Sequence, residues 1–71
     1  MDEYQPGQFV WVRFGSDKRR LAVIFRRTRT RYIVRKRVTT TGEWNRELAI
    51  RPRDILGPAD PVPGAPIPEG M

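Results

Sequence analysis

Arginine dominates the chemistry that this sequence can do. Ten basic residues and no acidic one stand between Lys18 and Arg37, and twelve of the fourteen basic residues in the chain are arginine. A guanidinium is planar, permanently charged and fork-shaped, so it matches a phosphate and stacks on flat rings; a lysine ammonium is a hydrated point charge. Alternate residues of an extended strand lie ~6.6 Å apart at a rise of ~3.3 Å each, comparable with the separation of successive phosphates along a nucleic-acid strand. Arg35 and Arg37 alternate with residues of the opposite face. Arg31 stands near the start of the same segment, Arg26, Arg27 and Arg29 crowd the preceding turn, and Arg19 and Arg20 precede an apolar run. These eight form the expected phosphate-contacting set. Trp11, beside Arg13, is the candidate ring for stacking on an unpaired base. If six to eight of these cations each neutralise a phosphate, log K falls against log salt with a slope of roughly −5 to −7 on duplex DNA.

Other chemistry is poorly supplied. The chain has no cysteine and no histidine, hence no disulfide, no thiolate or imidazole metal ligand and no imidazole base near neutral pH. What remains is Ser16, Lys18, the run Thr39–Thr41, the tyrosines and eight carboxylates. Glu43 and Glu47 read as cross-strand ion partners of Arg35 and Arg37, and Asp54 as a turn residue. No Gly-rich phosphate loop or nucleophile–base pair is visible. The reading is a non-enzyme with no cofactor and no metal.

The surroundings agree with a polyanion partner. The 71 residues carry a net charge of +6, and the pI is near 11.1. With 38% hydrophobic residues one small domain can fold, near the lower size limit for independent stability. No apolar run approaches the ~18 residues of a membrane-spanning helix, and no secretion signal is visible. The expectation is a cytoplasmic protein, nucleoid- or nucleus-associated if it binds DNA.

Short β-rich runs must position the arginines. Phe9–Phe14, Leu21–Phe25, Tyr32–Val38 and Trp44–Ile50 read as strands, separated by turn segments at Gly15–Lys18, Thr28–Thr30 and Thr39–Gly42. Pro52 interrupts the chain before a brief closing strand. Alternation pairs Val38 with Trp44, Val34 with Leu48 and Tyr32 with Ile50 on a core face, leaving Arg35, Arg37 and Ile33 on the other. It also sets Lys36 against Arg46, an unfavourable opposition of like charges. Val10 and Val12 are expected inside and Trp11 outside. Residues 1–56 form the expected domain, and the Pro- and Gly-rich residues 57–71 a disordered tail.

Tyr4–Arg13 (YQPGQFVWVR), followed by Leu21-Ala22-Val23-Ile24, resembles the opening of Tudor and PWWP domains. Ala49–Ile55 (AIRPRDI) is similar to the closing segment of the C-terminal DNA-binding domains of retroviral integrases. The resemblance implies an all-β fold: a small, strongly bent, five-stranded antiparallel barrel of the Src-homology-3-like type. Its integrase-like half favours DNA over RNA. An aromatic cage for methylated ammonium groups is not carried over, because Tyr32 and Trp44 fall on the core face and the surface is basic. The expectation is a nucleic-acid-binding protein of low sequence specificity, monomer or homodimer. The alternative is a protein-interaction module or accessory protein docking on an acidic partner.

Overall fold

The computed structural model describes residues 3–15 and 18–68. Ser16 and Asp17, in the middle of the first expected turn, and residues 69–71 of the tail lie outside the described residues. The strands are β1 (Phe9–Phe14), β2 (Lys18–Arg27), β3 (Tyr32–Lys36), β4 (Leu48–Ile50) and β5 (Ile55–Pro58), with a 3₁₀ turn over Pro52–Asp54 ahead of β5. All neighbours pair antiparallel, in the order β4-β3-β2-β1-β5.

Alternation builds the inner face. Val10 and Val12 point to one side of β1, Ala22 and Ile24 to the same side of β2, and Tyr32 and Val34 continue the row on β3. Ile55 closes this cluster, with Tyr4 and Ile50 packed against it. β-Branched residues suit a pleated, half-buried surface, and here they are the most fully buried side chains. Tyr32 is buried with its hydroxyl satisfied: the Tyr4 amide donates to it at 3.3 Å, and the two rings meet edge to face at 5.9 Å.

The sheet corrects the expected fold. It is all-β and antiparallel, but it does not close into a barrel or curl strongly. β4 and β5 are the two edges of the sheet and share no ladder, so the Src-homology-3-like, Tudor-like and integrase-like barrel implied by the resemblance does not form. The physical reason is strand length. β4 keeps only three residues, because residues 45–47 leave the ladder, and β5 has four. Such short edges offer too few hydrogen bonds to hold a closed sheet together.

The tail is a second correction. Gly57 and Pro58 belong to β5, whose Pro58 opposes Val10, and the Ala59 amide donates to the Phe9 carbonyl at 2.9 Å. The chain then turns at Pro63-Gly64, with Gly64 at φ +82°, and Pro68 is buried. Val62, Ala65 and Pro66 are half-buried. Proline has little conformational freedom to lose, so an extended Pro-rich segment packs apolar rings at small entropic cost.

The register between β3 and β4 agrees with the alternation argument where the strands run together: Tyr32 opposes Ile50, Ile33 opposes Ala49 and Val34 opposes Leu48. Beyond Leu48 it slips by one residue. Trp44 then bridges Arg37 instead of Val38, and the Val38 amide donates to the Glu43 carbonyl at 2.7 Å. The slip removes the opposition of Lys36 and Arg46. It also takes Trp44 off the inner face, contrary to expectation, to meet Phe9 edge to face at 6.3 Å.

Candidate nucleic-acid interface

The outer face of the sheet carries rings and guanidinium groups side by side. On β1, Phe9, Trp11 and Arg13 oppose Val23, Leu21 and Arg19 of β2, and Val23 in turn opposes Arg35 of β3. A bulge in β2 shifts the register between Ile24 and Arg26. The extra residue lets the consecutive Phe25 and Arg26 share this face, where both line a depression with Arg35 and Glu47. Arg27 then returns to the inner side, opposite Tyr32.

Two contacts organise this surface. The Arg19 guanidinium lies 4.7 Å from the centre of the Trp11 ring, and that of Arg35 lies 5.6 Å from the centre of Phe25. Both are within cation–π range. Arg35 is also anchored: its Nε donates to the Asn45 carbonyl at 2.6 Å and its Nη2 to the Trp44 carbonyl at 3.4 Å. It therefore holds the β3–β4 connection in place. Trp11 is half-buried over Leu21 and not fully outward, while Arg13 and Arg19 are exposed.

The eight arginines singled out by sequence are not gathered on one wall. Arg19, Arg26 and Arg35 share the outer face, with Arg37 at its loop end, where Nη2 approaches Gly42. Arg20, opposite Val12, and Arg27, whose guanidinium lies 5.6 Å from the Tyr32 ring centre, belong to the inner side. Arg29 and Arg31 sit exposed at the β2–β3 hairpin, whose turn is closed by Thr28: its amide donates to the Arg31 carbonyl at 2.8 Å, and its Oγ1 accepts from the Arg31 amide at 3.0 Å.

Internal neutralisation is limited among the described residues. Arg26 pairs with Glu47 at 2.9 Å and Arg27 with Glu3 at 2.6 Å. Glu47 thus meets Arg26 and not the expected Arg35, and Glu43 forms no ion pair with Arg37 among the described residues. The expected turn at Asp54 holds, with its carboxylate 3.5 Å from Arg51 Nε.

Sequence reasoning missed two contributors to this face. Arg13 directly opposes Arg19, and Phe25 alternates with Leu21 and Val23 onto the outer face, where the bulge, which no residue type announced, sets Arg26 beside it. Lys36, which alternation sets on the core face, is 6% exposed on the inner side, with Nζ 2.9 Å from the Phe14 ring centre. Burial, and after it the Arg20 charge, hold its ammonium below the ordinary lysine value. Among the described residues no group of three or more His, Cys, Asp or Glu could hold a metal ion, and no helix is long and apolar enough to cross a membrane. No protein-family model, no curated protein and no solved structure matches this chain.

Proposed function

We propose that this protein binds nucleic acid through the outer face of its open sheet, by phosphate contacts and ring stacking and with little sequence preference. One observation carries the reading: Arg13 and Arg19 stand directly opposite each other on neighbouring strands, beside the Trp11 ring. Like charges directly opposed destabilise a sheet, and a bound polyanion turns that penalty into attraction. Arg26 and Arg35 extend the cationic surface past Phe25, giving guanidinium groups for the backbone and flat groups for bases.

The test is the double charge reversal Arg13→Glu with Arg19→Glu, both at exposed positions. Anisotropy of labelled single-stranded and duplex oligonucleotides at ~0.15 M salt reads the result, where screening acts over ~8 Å. The expected outcome is a loss of at least about tenfold in affinity with the fold retained. Binding equal to wild type overturns the assignment.

A second reading, docking on a protein partner, is favoured by the free edges. β4 and β5 each have one unpaired side, and Leu48 and Leu56 on them are exposed. Unpaired edges invite strand addition. Early elution from both heparin and DNA resins, together with capture of one defined protein partner, would favour this reading over the first.

A further inference from the structure

Lys36 is out of place for a solubility charge. It sits on the inner face between a hydrophobic core and the end of the sheet, and it is the one buried charged residue among those described. Its ammonium has a ring partner in Phe14 but no carboxylate partner among the described residues. Placing a cation against a ring recovers part of the cost of desolvating it, yet a partly desolvated charge with no counter-charge beside it remains unfavourable. Arg20 on the adjacent strand adds repulsion.

The space beside it is shaped for the missing counter-charge. Phe14, Arg20, Lys36, Arg37, Thr39 and Thr40 line a cavity at this end of the sheet, and no described carboxylate borders it. β2 and β3 supply the cations, while the β3–β4 loop supplies the hydroxyls. The loop is held in shape by the Gly42 amide donating to the Val38 carbonyl at 2.7 Å, with Gly42 at φ +76°, a conformation that glycine adopts without strain. Clustered cations with neutral hydroxyl donors between them match a tetrahedral oxyanion, for which charge-assisted hydrogen bonds are the strong ones.

We propose that this pocket is a binding site for a single phosphate-monoester group, held by Lys36, Arg20 and Arg37 with the Thr39 and Thr40 hydroxyls completing the cradle. It lies at the loop end of the sheet, with Arg20 and Lys36 on the inner face and Arg37 reaching it from the loop end of the outer face. It shares no residue with the Arg13, Arg19, Trp11, Arg26 and Arg35 surface, so it does not rest on the nucleic-acid reading.

The experiment is a two-dimensional ¹H–¹⁵N NMR titration of the whole chain with inorganic phosphate, ionic strength held constant with sodium chloride. Saturable shifts confined to Phe14, Arg20 and residues 36–40 are expected. Lys36→Met is expected to lower the phosphate affinity about 10- to 100-fold, the range for losing a hydrogen bond to a charged group. Should that variant fail to fold, Thr39→Ala with Thr40→Ala, in the β3–β4 loop outside the core, must weaken phosphate binding while the sheet amides stay unchanged. Shifts that never saturate, that are equally large at Arg29 and Arg31, or that survive in Lys36→Met or in the double-threonine variant overturn the site. A 5′-phosphorylated dinucleotide identifies the source of the group: tighter binding than inorganic phosphate supports a strand terminus, and equal binding supports a free phosphate ester. The same shifts with the unphosphorylated dinucleotide overturn the proposal.

Discussion

The Arg19 guanidinium lies 4.7 Å from the centre of the Trp11 ring, while Arg19 itself directly opposes Arg13 across the β1–β2 ladder. One residue thus joins a stacking platform to a pair of like charges. The pair is unfavourable for the isolated sheet and favourable once an anion lies over it.

Trp11 is the ring on which this arrangement depends. Trp11→Leu keeps an apolar cover for Leu21 but removes the stacking surface. The expected loss for single-stranded oligonucleotides is about 5- to 100-fold, the range for one base–aromatic stack, with a smaller change for duplex. Anisotropy on both probes checks this. Equal losses on the two would show that Trp11 acts only by supporting the fold.

Salt dependence counts the phosphates. Arg13, Arg19, Arg26 and Arg35 share the outer face, so about four contacts give a slope of log K against log salt near −4 for duplex and near −3 for single strands. This is shallower than the full set of eight arginines would give. Glu47→Gln releases Arg26 from its partner and is expected to tighten binding, with stability altered by no more than about 0.5 kcal/mol because the ion pair is exposed. Weaker binding by this variant would remove Arg26 from the interface.

Lys36 sets a pH dependence with a definite sign. Burial first, and then Arg20, lower its value in the folded chain below the 10.5 of the free group. The unfolded chain therefore binds this proton more tightly, and stability rises as pH climbs from the lowered native value towards 10.5. Below that window the penalty is complete. Lys36→Met removes it, so the variant is expected to exceed wild type in stability near neutral pH, with the gap narrowing as pH rises. Urea denaturation of both proteins from about pH 7 up to the ordinary lysine value measures the gap; one that widens with pH contradicts the assignment.

Ile24 tests how little reserve the inner face has. It is fully buried at the centre of β2, opposite Val34. Ile24→Ala is expected to cost about 2–5 kcal/mol, a large share of the stability of so small a domain. Chemical denaturation followed by tryptophan fluorescence measures it, and a cost below about 1 kcal/mol would mean that the core cluster relaxes around the change.

Alternation of residue types was enough to place Phe9–Phe14 as a strand, to put Val10, Val12 and Val34 inside, and to pair Tyr32 with Ile50. Side chains of period two have only one register that keeps valine away from charge. The concentration of arginine between Lys18 and Arg37 was equally plain. Where those arginines point was decided only by tertiary structure. The β2 bulge returns Arg27 to the inner side and brings Phe25 and Arg26 together, and the slip between Trp44 and Leu48 frees Lys36 from Arg46 and sends Trp44 to Phe9. Each is a shift of a single residue, with no residue type to announce it, yet it reverses the face of the residues beyond it. Closure was likewise beyond local pattern. Whether β4 and β5 meet depends on how many ladder bonds each edge retains, a property of the assembled sheet that leaves this one open with its two edges apart.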